Sequence, residues 1–67
     1  MSEQDMKEVC VQLRNMGLHF SRAYSAIADD YGKREIRVIG TDGKNERRFR
    51  VMYNYIGFTG KPVLEEM

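Results

Sequence analysis

The chain has 67 residues, of which 42% are hydrophobic and 31% charged, with a formal net charge of +1. A chain of this length forms one small domain that buries only about 60% of its unfolded surface. The composition argues against disorder over most of the length, and no apolar run reaches the ~20 residues that span a bilayer. Cys10 is the only cysteine, so neither an internal disulfide nor a clustered cysteine–histidine zinc site is expected.

Small domains without disulfides or metals usually gain stability from a partner, so we expect a homo-oligomer. The N-terminal residues 1–5 are acidic and lack the basic and apolar segments of a secretory signal. We therefore expect a cytoplasmic protein with a reduced thiol, no cofactor, no bound metal and no membrane partner.

The N-terminal residues predict a helix that begins at Glu3. Ser2 is a suitable N-cap, and Asp5 follows it at the spacing of a capping box. Apolar residues and one glycine then recur at alternating spacings of four and three: Met6, Cys10, Leu13, Gly17, Phe20, Tyr24, Ile27 and Tyr31. This stripe predicts one long amphipathic helix over about residues 3–31.

Gly17 leaves an alternative open. A glycine followed by Leu18 also fits a helix stop in which Leu18 can touch Leu13. In that arrangement Ser21 would cap a second helix that ends near Tyr31.

Residues 34–56 predict an antiparallel β-hairpin. Two runs rich in β-branched and aromatic residues flank the pair Asp42-Gly43, which favours a two-residue turn. Such a turn places Thr41 opposite Lys44. The resulting register pairs Ile36 with Phe49, Val38 with Arg47, Arg34 with Val51, Arg37 with Arg48 and Glu35 with Arg50.

This register gives the hairpin one apolar and one charged face. Ile36, Val38, Phe49, Val51 and Tyr53 share the first face. We expect it to pack against the helical stripe, chiefly Leu13, Phe20, Tyr24 and Ile27. The predicted fold is α+β: one long amphipathic helix on a hairpin or a three-stranded sheet, with residues 57–67 irregular or forming an edge strand near 61–64.

Positive charge is concentrated in the hairpin. Residues 33–50 hold seven basic and three acidic residues, a net +4. Arginine binds phosphate through paired, weakly hydrated donors, and aromatic rings nearby offer stacking surfaces. The candidate ligand-binding residues are Arg37, Arg48, Arg50, Arg47, Lys44 and Tyr55. The same charges also fit a solvated face whose arginines pair with Glu35 and Glu46.

These features favour a small oligomeric binding protein whose arginine-rich hairpin face holds nucleic acid or a nucleotide. The alternative is an adaptor or inhibitor that binds another protein through the apolar helix stripe or the hairpin edge. No nucleophile, base or metal constellation is apparent, so we do not expect an enzyme.

Overall fold

The computed structural model describes residues 1–54 and 60–67. One helix is followed by four strands: α1 Glu3–Asn15, β1 His19–Ile27, β2 Arg34–Thr41, β3 Glu46–Asn54 and β4 Lys61–Glu66. The strands form a single antiparallel sheet in the order β1-β2-β3-β4. The predicted α+β class is confirmed for this small single domain, but the sheet has four strands and the helix is less than half the predicted length.

Helix α1 begins at Glu3, as the sequence predicts. The Ser2 hydroxyl accepts a hydrogen bond from the Asp5 N–H at 3.1 Å, which satisfies one of the free donors of the first turn. Glu3 and Asp5 add negative charge where the helix dipole favours it.

The helix ends at Asn15, so the prediction of one helix over residues 3–31 is wrong. The Leu18 N–H donates to the Leu13 carbonyl and the Gly17 N–H to the Arg14 carbonyl, both at 2.9 Å. Gly17 adopts φ 78°, which places it in the left-handed region. These bonds form a Schellman stop. The stop in the alternative interpretation is therefore present, but the second helix beginning near Ser21 is not.

Strand β1 occupies the segment that the stripe assigned to helix. It pairs with β2 along its whole length, with a bulge between Phe20 and Arg22. The extra residue at Ser21 puts Phe20 and Tyr24 on opposite faces of the sheet, although their spacing suits one helix face. Ile27 is 60% exposed and Tyr31, in the following loop, is 96% exposed. The expectation that Tyr24 and Ile27 belong to the core is wrong.

The hairpin of β2 and β3 forms with a register displaced by two residues from the predicted one. Ile36 pairs with Val51 and Val38 with Phe49, because the connecting loop spans Asp42–Asn45 rather than two residues. The Asp42 carboxylate accepts hydrogen bonds from the N–H groups of Lys44 and Asn45, both at 2.8 Å, and this holds the longer loop. A displacement of two residues preserves the side-chain alternation, so each predicted face keeps its residues.

The core lies between α1 and the apolar face of the sheet. The buried cluster consists of Val9, Leu13, Leu18, Val38, Phe49 and Val51, with Phe20, Ile36, Tyr53 and Leu64 packed against it. The predicted burial of the apolar hairpin face is thus confirmed for Val38, Phe49 and Val51, whereas Ile36 and Tyr53 are only partly buried. Within the described residues, no helix is long and apolar enough to cross a membrane.

Strand β4 completes the sheet beside β3. Its bounds, Lys61–Glu66, include the edge strand predicted near residues 61–64. The side chain of Gln12 joins α1 to this strand: its Nε2 donates to the Pro62 carbonyl at 2.6 Å, and its Oε1 accepts from the Leu64 N–H at 3.2 Å. The Tyr53 hydroxyl also lies 2.9 Å from an Asp5 carboxylate oxygen.

Candidate functional site

The sheet face opposite α1 carries most of the candidate residues, and we call it the outer face. Side chains alternate between faces along each strand, and Val38 and Phe49 point to the core. Their neighbours in sequence therefore lie on the outer face. The register places there Arg22, Tyr24 and Ala26 of β1, Glu35, Arg37, Ile39 and Thr41 of β2, Glu46, Arg48, Arg50 and Met52 of β3, and Lys61, Val63 and Glu65 of β4.

One row across the outer face is neutralised by acids. Arg37 lies opposite Arg50, not opposite Arg48 as the two-residue turn predicted. Glu35 lies between the two guanidinium groups: its Oε2 is 2.7 Å from the Arg37 Nε and 3.7 Å from the Arg50 Nε. The hydrogen bond from Arg37 to Glu35 raises the pKa of Arg37, and Tyr24 contributes in the same direction.

Arg50 is held less firmly than Arg37. Its second acid contact is with Glu65 on the neighbouring strand β4, where the Arg50 Nη1 lies 3.9 Å from the Glu65 Oε1. Its Nε atom is buried and has no hydrogen-bond partner within residues 1–54 and 60–67. A buried donor without an acceptor is unfavourable. The Arg50 side chain is 40% exposed and its two acid contacts are long, so the exposed part of the guanidinium is accessible to a further anion.

The adjacent row has no such neutralisation. Arg22 pairs with Ile39 across the β1–β2 ladder, and Arg48 pairs with Ile39 across the β2–β3 ladder. Ile39 is only 2% exposed although it lies on the face away from α1. We attribute this burial to the aliphatic stems of the flanking arginines, since long cationic side chains cover apolar neighbours while their charged ends stay in water.

Arg22 and Arg48 are themselves exposed. In the part of the chain that the structure describes, neither has an ion pair with an acid. Two uncompensated guanidinium groups therefore stand on either side of one apolar residue. This pair is the strongest positive feature of the outer face.

The remaining candidates lie elsewhere. Arg47 is on the α1 side of the sheet, where its guanidinium donates to the Glu66 carboxylate at 2.8 and 2.5 Å and lies 5.5 Å from the centre of the Phe49 ring. This contact raises the pKa of Arg47 and lowers that of Glu66. Lys44 is exposed in the loop between β2 and β3. Tyr55 lies outside the described residues.

The structure adds Arg22 to the candidate set. The sequence interpretation placed it on a helix, away from the hairpin arginines. The signal that could have located it is the helix stop at Gly17-Leu18, which ends the helix before Arg22.

A cleft of about 510 Å³ adjoins Arg50. It lies where the described β2–β3 pairing stops at Ile36 and Val51. Lys33 and Arg34 line it together with the acidic side chains of Asp29 and Glu35. Among the described residues, no group of three or more histidine, cysteine or acidic side chains is placed to hold a metal ion.

Comparison with models of known protein families, with curated protein sequences and with solved structures finds no match.

Proposed function

We propose that the outer face binds a phosphate-bearing ligand, either a single strand of nucleic acid or a nucleotide. The observation that carries this proposal is the pair Arg22 and Arg48, exposed on both sides of Ile39 and without acid partners in the described chain. Their side chains supply the paired, weakly hydrated donors that phosphate oxygens accept.

The spacing of the pair suits an extended anion. The strands carrying Arg22 and Arg48 are separated by β2, so the two backbones lie about 9.5 Å apart at the usual strand separation. The flexible side chains can converge on one phosphate or contact two. Arg50, in the next row and with its side chain 40% exposed, extends the positive surface along β3.

The apolar residues of the outer face support a nucleic acid or nucleotide over a bare inorganic ion. Tyr24 lies beside the arginine rows, and Met52 and Val63 are about half exposed one row further. Aromatic and apolar side chains next to cations are the usual platform on which bases stack. Arg37 has a positioning role in this proposal, because its guanidinium is already bound to Glu35.

The test is a binding titration with fluorescent single-stranded DNA and RNA oligonucleotides and with ATP, at low and at moderate salt. We expect Arg22→Gln combined with Arg48→Gln to weaken binding by about 1.5–3 kcal/mol for each charge-assisted hydrogen bond that the substitutions remove. The salt dependence should also become shallower, since fewer counterions are released.

The matched control removes the same charge from the other layer. Lys7→Gln combined with Arg14→Gln changes two exposed residues of α1. We expect this variant to bind like the parent protein. Equal weakening in both double variants, or no binding of any probe by the parent at low salt, would overturn the proposal.

The second candidate function is a protein-binding adaptor or inhibitor that uses α1. The observation that favours it is an apolar groove on the solvent side of the helix, lined by Met6, Cys10 and Val11 among others, with Val11 45% exposed. Binding through such a groove would depend little on salt, whereas phosphate binding would weaken steeply as salt rises.

A further inference from the structure

The two edges of the sheet differ in how their backbone groups are satisfied. At the β4 edge, the Met67 N–H donates to the Arg48 carbonyl, so the odd-numbered residues of β4 face β3. The even-numbered residues therefore direct their backbone groups away from the sheet. Pro62 has no N–H, and its carbonyl accepts from Gln12, whose Oε1 in turn accepts from the Leu64 N–H. A helix side chain and a proline thus close most of this edge.

The β1 edge has no such cover. The Ala28 N–H donates to the Lys33 carbonyl, so Tyr24 and Ala26 direct their backbone groups toward β2. By the alternation of an antiparallel ladder, the N–H and C=O groups of Ala23, Ser25 and Ile27 point outward. Within the described residues none of these groups has a hydrogen-bond partner.

The side chains of this segment do not protect the edge either. Natural sheets block exposed edges with lysine, proline or inward-pointing charges. Residues 23–28 contain no charged side chain and no proline, and the bulge lies before them at Ser21. Edge β4, by contrast, contains Lys61, Pro62 and two glutamates.

We propose that the chain forms a two-fold symmetric dimer in which β1 pairs antiparallel with β1 of a second copy, centred on Ser25. In this register Ser25 faces Ser25 of the second copy, and Ala23 faces Ile27 of the second copy. These are the three residues whose backbone groups point outward, so the pairing makes about six hydrogen bonds. The dimer would have one continuous sheet, in which each copy of the chain contributes four strands.

The side chains fit this register without a charge conflict. Exposed Ile27 lies beside Ala23 of the second copy, and Tyr24 lies beside Ala26 of the second copy. Arg22 faces Ala28 of the second copy rather than another arginine. On the α1 side, the hollow lined by Met1, Met6 and Ile36 opens beside the same strand and would border the interface.

The exposed area of the chain supports a missing partner. Its accessible surface is 5038 Å² for a mass of 7.9 kDa. A folded monomer of this mass exposes about 4,400 Å² by the usual scaling, so the chain exposes about 600 Å² more. A stable interface buries about 800 Å² on each partner, an area of similar size.

This inference does not depend on the proposed ligand. Its consequence for the outer face is that two arginine surfaces would become neighbours on one sheet, with both copies of Arg22 near the junction. Loss of ligand binding and loss of dimerisation can be measured separately, so either proposal can fail alone.

The decisive experiment is cross-linking at the symmetry axis. Residues that face each other as a hydrogen-bonded antiparallel pair have Cα atoms about 5.5 Å apart, which a disulfide can span. We expect Ser25→Cys, in a Cys10→Ser background, to form a covalent dimer of twice 7.9 kDa under mild oxidation. The matched control is Val63→Cys in the same background, an exposed position on β4.

Two measurements on the unaltered chain test the dimer without relying on the folding of any variant. Sedimentation of the unaltered chain at micromolar concentration should give a dimer. Hydrogen exchange should show amides of Ala23, Ser25 and Ile27 protected more as concentration rises, while those of Tyr24 and Ala26 stay protected throughout. A monomer, unprotected outward amides, or cross-linking at position 63 equal to that at position 25 would overturn the proposal.

Discussion

Gly17 determines where the helix ends and where the sheet can begin. Its φ of 78° lies in the left-handed region, and nothing lies within 4 Å of the position that a Cβ would occupy. A side chain at this position would therefore meet a backbone penalty and no steric clash. The two Schellman hydrogen bonds from Gly17 and Leu18 depend on this conformation.

We predict that Gly17→Ala lowers the free energy of unfolding by about 1–2 kcal/mol, the cost of a left-handed conformation for an ordinary residue. Gly17→Asn should cost less, because asparagine tolerates this conformation. Urea denaturation of the three proteins measures the order. An alanine variant as stable as the parent would contradict a left-handed stop at this position.

The Arg47–Glu66 contact predicts an effect of acid. The hydrogen bond from Arg47 lowers the pKa of Glu66 below its usual value of 4.5, and hydrogen bonds from the N–H groups of Asn45 and Lys44 lower the pKa of Asp42. A carboxyl group with a lowered pKa in the folded state stabilises the fold above its unfolded pKa. That stability is lost as pH falls through the folded pKa.

We therefore expect the contribution of Glu66 to the free energy of unfolding to be constant above pH 4.5 and to decline as the pH falls below that value. Glu66→Gln should remove part of this decline and leave the part due to Asp42. Denaturant titrations at a series of pH values test this expectation. An unchanged acid dependence in the glutamine variant would show that Glu66 does not contribute.

At the scale of elements, local signals in the sequence predicted the helix start and the apolar hairpin face. Ser2 and Asp5 define the first turn by their own hydrogen bond, and strand alternation fixes which side chains share a face. The predicted faces of the hairpin keep their residues although the predicted register is wrong, because the register of β2 and β3 is displaced by an even number of residues. The pair Asp42-Gly43 predicts a two-residue turn, but the Asp42 carboxylate holds a four-residue loop by accepting hydrogen bonds from the N–H groups of Lys44 and Asn45.

Strand β1 could not be found by apolar spacing. Phe20, Tyr24 and Ile27 have a helical spacing in the sequence, but the bulge at Ser21 inserts one residue and puts Phe20 and Tyr24 on opposite faces of the sheet. Gly17 correctly indicates the end of the helix, but the apolar stripe from Met6 to Tyr31 continues through it and favours a longer helix. The consequence for the site was the omission of Arg22, whose place on the outer face depends wholly on β1 being a strand.

Gln12 provides a test of how α1 and β4 are joined. Its amide makes two hydrogen bonds to the outward backbone of β4. We predict that Gln12→Ala lowers the free energy of unfolding by about 1–3 kcal/mol, the sum expected for two such bonds. Gln4→Ala, at an exposed position on the same helix, is the control and should be neutral. Equal stability of both variants would argue against this connection.

The whole molecule is a flat, two-layered object of 34 × 30 × 18 Å. Its layers divide the charge unequally. Helix α1 begins with acids and covers the core, whereas the outer face carries four arginines and one lysine against three glutamates among the residues that the register places on it. A nearly neutral chain can therefore present a positive face. The apolar face of the sheet packs against α1, and the outer face is the surface that we propose to bind phosphate.

The most direct test of this account is to map a bound anion on the chain by backbone amide chemical shifts during titration with a short single-stranded oligonucleotide at low salt. We predict the largest changes along the row of Arg22, Ile39 and Arg48, smaller changes around Arg50, and little change in α1. At the same oligonucleotide concentration the changes should be much smaller in the variant that combines Arg22→Gln with Arg48→Gln. Changes confined to α1, or none at a saturating concentration, would contradict a phosphate-binding outer face.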